Sequence, residues 1–454
     1  MKKFILLLDV ALLYAALAAT VFIRYPNEFR VQLDLHAPPF TLIFVIWILA
    51  FYIGNLYNDS ILRNNVKFYS ALSSASLIAA GFSVAFFYLI PLYGITPKTN
   101  LFIFLGIFGV LFSAARIFLN DVREKKFKKL LMLVGVNAQS LELAKFIKDN
   151  PQLGYMLHSV IDISPQNSLP LLDEDLLKFG IIREIDHVRH ALSAEKIHTV
   201  VVSAQAYQSA ELIDLFFRAL ERGITFQNLA YFYEQVTGRV PLDAINQIWF
   251  LANINEGTKK FYEWVKRVTD VAMAAILAVP SAVMFPLLAI LIKIDSQGPV
   301  FYRQQRVGKL GQPFEMIKFR TMHKDAESKS GAVWTQENDP RITRLGSFLR
   351  KSRIDELPQI WNILKGEMSF IGPRAERPEF HQTLVRELPF YEERYLVKPG
   401  ATGWAQLQKS YYSSVADTKE KLQYDLYYIK NRSLLLDIDI LLRTINLSLR
   451  QGGR

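Results

Sequence analysis

The stretch "FYEWVKRVTDVAMAAILAVPSAVMFPLLAILIKIDSQGPVFYRQQRVGK", residues 261–309, determines how this chain is expected to meet a lipid bilayer. Residues 271–292 are almost wholly apolar, so the simplest interpretation is a helix that spans the membrane. Pro280 and Pro286 interrupt this segment, with Ser281 beside the first proline. Because interior prolines break or kink helices, we expect a bent helix here rather than a straight one.

Positive charge flanks both ends of this apolar segment. Since Lys and Arg concentrate on the cytoplasmic side of a membrane, a spanning helix would place one of the two clusters outside. A re-entrant helix over about 268–293 enters and returns on the cytoplasmic face, where both clusters reach lipid phosphates. We therefore predict a re-entrant helix. The clusters are Lys259, Lys260, Lys266 and Arg267 before it, and Lys293, Arg303, Arg306 and Lys309 after it.

The first 120 residues hold four more apolar runs, each close to the ~20 residues that cross a bilayer. Basic residues cluster before the first run, between the second and third, and after the fourth. By the positive-inside rule, both ends of this region face the cytoplasm. The sequence thus predicts four transmembrane helices. The runs are Phe4–Ile23, Phe40–Tyr57, Phe68–Ile90 and Leu101–Leu119.

Composition agrees with membrane segments joined to soluble domains, because the 454 residues are 51% hydrophobic with a mean hydropathy of +0.15. The chain has no cysteine, which excludes disulfides and thiolate metal sites. A net charge of +11 suits anionic lipids, phosphorylated substrates or nucleic acid. We expect no nucleic acid partner, because no nucleic-acid motif is present and the arginines gather around acidic residues.

Between these membrane segments, short strand-like and helix-like runs alternate over roughly 129–250. "KLLMLVGV", "MLHSVIDIS", "KIHTVVVSA" and "ITFQNL" are typical of strands, and "SLELAKFIKD" and "SAELIDLFFRALERG" of helices. This alternation predicts a doubly wound α/β domain. The first strand-to-helix turn, "VGVNAQS", has only Gly135 where a dinucleotide site needs G-x-G-x-x-G. A structural or regulatory domain is therefore favoured over dinucleotide binding.

Further along, "SRIDELPQIWNILKG" holds the adjacent acids Asp355 and Glu356. Alone, such a pair is typical of the first turn of a helix. Guanidinium groups bind phosphate oxygens bidentately, while a carboxylate among them can ligate Mg²⁺ or attack phosphorus. The surroundings therefore predict phosphoryl transfer at the cytoplasmic membrane surface. The basic residues near the acids in sequence or motif are Arg350, Lys351, Arg353, Lys318, Arg320, His323, Arg374 and Arg377.

About 261–454 resembles the bacterial sugar transferases, which are polyprenyl-phosphate glycosyl-1-phosphate transferases. The resemblance rests on "LIKIDSQGPVFYRQQRVGKLGQPFEMIKFRTM", "DPRITRLGSFLRKSRIDELPQIWNILKGEMSFIGPR", "YEERYLVKPGATGWAQL" and "YDLYYIKNRSLLLDIDILLRTI". The N-terminal half resembles the large members that start exopolysaccharide, capsule or O-antigen assembly. The resemblance implies a four-helix transmembrane region at 1–120, a degenerate Rossmann-like α/β domain at 121–255, and a mainly helical monotopic catalytic domain at 256–454.

The resemblance also implies a reaction. A UDP-sugar donates its sugar-1-phosphate to undecaprenyl phosphate and releases UMP, through a phosphosugar intermediate on Asp355. Glu356 is the expected Mg²⁺ ligand, and large relatives imply a homodimer in the bacterial inner membrane with its site on the cytoplasmic face. By motif match, Arg350, Lys318, Arg320 and Arg374 bind substrate phosphates, and Pro373, Pro280, Ser281 and Pro286 are structural.

One departure from the family pattern falls beside the expected site. The family has a Pro-Arg-Pro turn, and its last proline is Ala375 here, which reduces the rigidity of the turn.

Two other functions stay open at this point. A membrane-bound nucleotide-sugar modifying enzyme would need an intact NAD loop, and a non-catalytic membrane-anchored α/β regulatory protein would not need the acid pair.

Overall fold

A computed structural model describes most of the chain, and it divides into two compact units, Met1–Leu229 and Ala230–Arg454. We describe each unit by itself. The three-domain division expected from sequence stays a prediction. The described residues are 2–58, 62–89, 98–126, 128–163, 181–194, 196–254, 257–324, 326, 339–408 and 414–451.

The first unit begins with four long helices that contain the predicted apolar runs as far as these are described, except that α2 ends at Ile53 and leaves the last four residues of the run Phe40–Tyr57 in a turn. Phenylalanine and tryptophan rings stack where the helices meet, as in the pair Phe51 and Phe112, whose ring centroids are 4.4 Å apart. Such aromatic contacts supply much of the packing between these helices. The helices are α1 (Lys2–Arg24), α2 (Phe29–Ile53), α3 (Val66–Leu89) and α4 (Lys98–Lys126).

A buried ion pair joins the first and fourth of these helices. Arg116 Nη2 lies 2.5 Å from Asp9 Oδ2, and the two side chains are 1% and 0% exposed. A second nitrogen of Arg116 donates to the backbone oxygen of Leu56 at 3.1 Å. Charged groups in an apolar bundle are costly unless paired, so this contact is a specific cross-link between α1, α4 and the chain after α2.

Among the described residues, five helices are long and apolar enough to cross a membrane by length and composition. Four of them are α1 to α4. The fifth is the helix Lys260–Asp295 of the second unit, whose apolar window is only 17% buried within the protein. A membrane protein with α and α/β parts is therefore the architecture that the chain supports.

The rest of the first unit is a parallel five-stranded sheet with flanking helices, which confirms the α/β prediction. Strand order is β3-β2-β1-β4-β5, and every pairing is parallel. Gly135 follows β1 with a φ of +96°, and a Cβ there would lie 1.9 Å from Ser203 Oγ. The elements are β1 (Lys129–Val134), α5 (Ala138–Asp149), β2 (Tyr155–Ile161), β3 (Ile181–Ile182), α6 (Ile185–Ala194), β4 (Thr199–Val202), α7 (Ala210–Ala219) and β5 (Thr225–Asn228).

The second unit is mainly helical, with a two-stranded antiparallel sheet and a short parallel pair, β8 with β9. Its elements are α8 (Leu229–Thr237), α9 (Gln247–Asn253), α10 (Lys260–Asp295), β6 (Phe301–Val307), β7 (Pro313–Phe319), α11 (Arg344–Lys351), α12 (Ile360–Lys365), β8 (Ser369–Ile371), α13 (Pro378–Glu387), β9 (Gly400–Thr402), α14 (Trp404–Gln408), α15 (Val415–Asn431) and α16 (Leu434–Gln451).

Residues directly after α8 belong to the core of this second unit. Val240 and Leu242 are buried in the same apolar cluster as Leu422 and Leu426 of α15. Val240 N also donates to Gln423 O at 3.0 Å. The unit therefore includes residues well before the apolar helix α10.

Helix α10 contains Pro280 and Pro286 and is helical throughout its 36 residues. Each proline removes one backbone donor, and a helix can bend at such a point without ending. Ser281 Oγ donates to Leu277 O at 2.7 Å, one turn back. The predicted segment 268–293 thus lies inside one longer helix.

Candidate active site

The acid pair follows helix α11, which is fixed by its first turn. Thr343 caps the helix by accepting a hydrogen bond from Gly346 N at 2.9 Å. A Cβ on Gly346 would lie 2.1 Å from Thr321 O, so only glycine allows this close approach to the chain after β7. Leu349 is fully buried beneath the helix. The helix is therefore held at a fixed distance from β7.

Arg353 turns the chain from α11 into the segment that carries the acids. Its φ is +56°, in the left-handed region that costs a non-glycine residue roughly 1–2 kcal/mol. A 3-10 helix, Ile354–Gln359, follows, and both Asp355 and Glu356 lie in its first turn. The prediction that the acids occupy a helix start is confirmed.

Asp355 is buried, with only 7% of its surface exposed. Burial raises the pKa of its carboxyl group, and the neighbouring charge of Glu356 raises it further, to about 6. Lys318, Arg350 and Arg374 act in the opposite direction. Asp355 is therefore a carboxylate of raised basicity that is still mainly ionised at neutral pH.

Glu356 lies in a different electrostatic environment. Arg374 Nη1 donates to Glu356 Oε1 at 3.2 Å, and Arg353 Nη1 lies 3.7 Å from Oε2. Burial alone would raise the pKa of Glu356, but Arg374, Lys318 and Arg353 outweigh it, so the pKa is lowered. In this closely coupled pair Glu356 keeps its charge, and Asp355 is the group that titrates nearer neutrality.

Besides Arg374, two more of the predicted phosphate-binding residues lie around this pair. Lys318 is on β7, where burial and then the charge of Arg374 lower its pKa to about 8, although Glu356 opposes the shift. Arg350, on α11, donates from Nε to Thr321 Oγ1 at 2.8 Å and acts electrostatically on Asp355. The structure therefore brings together Lys318, Arg350 and Arg374 near the acids.

The described contacts of Arg320 are not with the acid pair. Its Nη2 donates to Ser296 O at 2.6 Å and to Ile292 O at 3.4 Å, at the C-terminal end of α10. The last carbonyl groups of a helix lack partners within the helix, and a guanidinium can satisfy them. Arg320 thus anchors α10 to the end of β7, and its role in phosphate binding stays a prediction.

Pro373 and Arg374 lie in a turn that is held by the short parallel pair β8 and β9. Gly400 N donates to Pro373 O at 2.9 Å, and Gly372 N donates to Thr402 O at 2.9 Å. A Cβ on Gly372 would lie 2.4 Å from Lys398 O, so the two chains approach as only glycine permits. The turn opens onto a small pocket lined by Arg306, Met316, Gln359, Met368, Arg374, Ala375 and Gly400.

A set of buried charged residues lies behind this turn, and local sequence patterns do not predict it. Glu376 lies 3.2 Å from Lys421, and Arg394 lies 3.0 Å from Asp425. Local spacing gives no sign of these pairs, because their members are 45 and 31 residues apart. A signal was nevertheless present, since Arg394 belongs to "YEERYLVKPG" and Asp425 to "YDLYYIKN", both within the recognised stretches.

The region that contains this site is also the part of the chain that matches a known protein family. Residues 261–451 match the family model described as bacterial sugar transferase. A UDP-glucose:undecaprenyl-phosphate glucose-1-phosphate transferase of Xanthomonas campestris pv. campestris is 30% identical over 345 residues, which cover 72% of this chain and 68% of that protein.

Two other relatives are more similar over shorter stretches. A UDP-N-acetylgalactosamine-undecaprenyl-phosphate N-acetylgalactosaminephosphotransferase of Aeromonas hydrophila is 44% identical over 225 residues, 48% of this chain and 51% of that protein. The match thus spans about half the length of the Aeromonas relative. A putative undecaprenyl-phosphate N-acetylgalactosaminyl 1-phosphate transferase of Bacillus subtilis (strain 168) is 48% identical over 141 residues, 31% of this chain and 78% of that protein.

Proposed function

This chain belongs to the bacterial sugar transferase family, and we propose that it moves a sugar-1-phosphate from a UDP-sugar to undecaprenyl phosphate, with release of UMP. The names of two relatives described above state a transfer of a sugar phosphate to undecaprenyl phosphate. The observation that carries the proposal is the buried Asp355 beside a Glu356–Arg374 ion pair. The product would begin the assembly of an exopolysaccharide, capsule or O-antigen.

In the first step, an Asp355 carboxylate oxygen attacks the sugar-linked phosphorus of the donor. An oxygen–phosphorus bond forms to Asp355, the bond from that phosphorus to the bridging oxygen breaks, and UMP leaves with the electron pair. In the second step a phosphate oxygen of undecaprenyl phosphate attacks the same phosphorus and frees Asp355. The raised pKa of Asp355 suits this role, because a more basic carboxylate is the better nucleophile.

The cations have complementary roles in both steps. Arg374 lines the pocket and its side chain is 42% exposed, so it can meet a diphosphate while it holds Glu356. Lys318 and Arg350 supply further positive charge at Asp355. Fixed cations at the reacting phosphate stabilise the charge that develops in the transition state.

Magnesium is the expected cofactor, and the donor set fits a substrate-assisted site. The described residues contain no group of three or more His, Asp or Glu side chains that would hold an ion by themselves. Mg²⁺ is typically held by one or two carboxylates together with substrate phosphates. Glu356 is the carboxylate that would hold it. When bound, the ion would neutralise the diphosphate and the departing UMP.

We also propose that α10 is re-entrant. Ala274 packs with Phe314 and Met316 of β7, whereas Leu288 packs with Phe319 of the same strand. In a straight helix, residues 274 and 288 lie about 21 Å apart, whereas residues 316 and 319 of a strand lie about 10 Å apart. A bend at the prolines would let both halves of the helix reach one short strand.

Cysteine accessibility tests this topology, and the natural chain contains no cysteine that would interfere. Lys260 and Gln297 are exposed at the two ends of α10. In intact cells, Lys260→Cys and Gln297→Cys should both resist an impermeant thiol reagent and react only after the cells are opened. Labelling of Gln297→Cys alone from outside would show a spanning helix.

The broader assignments follow from the same proposal. We place the protein in the bacterial inner membrane with α1 to α4 spanning it and the active site on the cytoplasmic face. A homodimer is supported by an apolar stripe on and just after α7, where Ile213, Phe217 and Leu220 are 43%, 73% and 50% exposed. Mass photometry of the detergent-purified protein would give twice the monomer mass for a dimer.

The activity test uses purified full-length protein, undecaprenyl phosphate, Mg²⁺ and radiolabelled UDP-sugars. UDP-glucose, UDP-galactose and their N-acetylated forms would identify the donor, since the names of the relatives include both glucose and N-acetylgalactosamine. Asp355→Asn should lower UMP release by at least about 10³-fold, because it removes the attacking oxygen's charge. Glu379→Gln changes a half-exposed acid on α13 and should have little effect. Full activity in Asp355→Asn would refute the assignment of Asp355 as the nucleophile.

A further inference from the structure

The backbone of the turn that carries Arg374 is held at three successive carbonyl groups. Arg374 O accepts from Arg394 Nη2 at 2.9 Å, and Ala375 O accepts from Arg306 Nη1 at 3.1 Å. Glu376 O accepts from Val307 N at 2.9 Å. A turn with each of these peptide planes bonded has little freedom to rotate. The direction of the Arg374 side chain is therefore determined by donors outside the turn.

Arg394 is the most buried of these donors, with 2% of its side chain exposed. Besides Arg374 O, its Nη2 donates to Asp425 Oδ2 at 3.0 Å, and its Nη1 donates to the Tyr391 hydroxyl at 2.7 Å. The rigid fork of a guanidinium can satisfy all three partners at once, which a lysine ammonium cannot do in the same geometry.

This buried ion pair is not explained by stability alone. Removing two charges from water costs several kcal/mol per ion, and apolar side chains of similar volume often serve a fold equally well. What apolar side chains would not provide is a donor directed at Arg374 O. Within the described part of the chain, no hydrogen bond joins Arg394 to Asp355 or Glu356, so its influence on them passes through the turn.

The geometry points to Arg394 as a positioning residue for the transfer reaction: anchored by Asp425, it holds the Arg374 backbone so that the Arg374 guanidinium meets Glu356 and the substrate diphosphate. This inference rests on the proposed function for its catalytic part. It also accounts for Ala375, because hydrogen bonds from Arg394 and Arg306 supply the rigidity that a second proline would otherwise give the turn.

The test is Arg394→Lys in the full-length protein, with Arg432→Lys as the matched control. Arg432 is similarly buried in the second unit, 4% exposed, and its partners include Glu263 and Ile429 O, which lie outside the turn. We expect Arg394→Lys to lower kcat by about 10–100-fold, since small misplacements of binding groups have effects of this size. Arg432→Lys should keep kcat even where it lowers the unfolding temperature.

Two readouts separate positioning from a general loss of stability. Combined with Arg374→Lys, the Arg394→Lys change should add little further loss, because both act on one group. Amide exchange measured by mass spectrometry should rise in residues 370–380 for Arg394→Lys and not for Arg432→Lys. Should Arg394→Lys fail to fold, Tyr391→Phe removes one partner of Arg394 and should give the same effects in weaker form.

The inference is overturned if the two losses multiply, or if exchange in residues 370–380 is the same in Arg394→Lys and Arg432→Lys. A wild-type protein that releases no UMP from any UDP-sugar would instead refute the proposed function. In that case the exchange comparison alone decides whether Arg394 holds the turn.

Discussion

On the proposed mechanism, Asp355 attacks phosphorus and later leaves it, and its surroundings suit both steps. Burial and the charge of Glu356 raise its pKa to about 6, which makes it more nucleophilic than an exposed aspartate. Nearby cations prevent a larger rise, so the group is mainly charged at neutral pH. Lys318, whose pKa burial and Arg374 lower to about 8, supplies one of those cations.

These two groups predict a bell-shaped dependence of kcat/KM on pH. Below about 6, Asp355 is protonated and cannot attack, so the rate falls as pH decreases. Above about 8, Lys318 loses its proton and its positive charge, so the rate falls as pH increases. The measurement is UMP release at low UDP-sugar concentration, which reports ionisations of the free enzyme.

Lys318→Arg provides the control for this profile. Arginine stays charged throughout the range, so the alkaline limb should move well above pH 8 while the acid limb stays in place. If the alkaline limb of the Lys318→Arg profile remains near pH 8, that limb reports the ionisation of a group other than Lys318.

Among the helices and strands, the sequence predicts those whose residues form a clear local pattern of apolar and turn residues. The sequence predicts strands β1, β2, β4 and β5. The first three are short, largely apolar runs, whereas β5 is a mixed segment that follows the turn at Gly223. Strand β3 was missed, since Ile181 and Ile182 are too short a run to carry any periodicity. The 3-10 helix at Asp355 was expected only as a helix start, because the left-handed Arg353 that precedes it has no sequence signature.

Asp9 and Arg116 show how two elements can depend on one contact. Arg116→Met should destabilise the protein by up to about 3–5 kcal/mol, because it leaves a buried carboxylate without its partner. Asp9→Asn/Arg116→Met should recover most of this loss, since neither charge then remains. The midpoint of thermal unfolding in detergent measures both.

Phe118→Met is the control for this pair, because it changes a 66% exposed side chain on the same helix. Its unfolding midpoint should stay close to that of the wild type. A double variant as unstable as Arg116→Met alone would show that packing, and not charge, explains the loss.

Across the full chain, the acid pair and the basic residues around it were predictable, whereas the residues that hold them were not. Asp355, Glu356 and Arg374 lie within one stretch of 20 residues, so a single motif contains them. Arg394 and Asp425 reach the turn only through tertiary structure. Arg320 shows that a motif can also predict a contact that the structure does not show. Its motif predicts a phosphate contact, whereas its described contacts are with the end of α10.

The core of the second unit predicts where the chain can be divided. A fragment that starts at Ala230 keeps Val240 and Leu242 in their cluster, and it keeps the bond from Trp404 Nε1 to Gly238 O at 2.9 Å. A fragment that starts at 256 loses all of these. Removal of each large buried side chain costs about 2–5 kcal/mol, so the shorter fragment should be poorly folded.

UMP release and the unfolding midpoint of the two fragments, purified in the same detergent, check this prediction. The fragment 230–454 should retain measurable activity, and 256–454 should aggregate. Equal stability of the two would place the division where the family resemblance implies it, at 255/256.

The ion pair between α1 and α4 also has a consequence for biosynthesis. Its two residues are 107 positions apart, with Asp9 made first. At about 5–20 residues per second, a ribosome would need roughly 5–20 s to add the chain between them. On the proposed topology, the first helix therefore enters the membrane with an unmatched carboxylate and waits for the fourth. During that interval Asp9 stays in the bilayer without its basic partner, which is costly for an ionisable side chain.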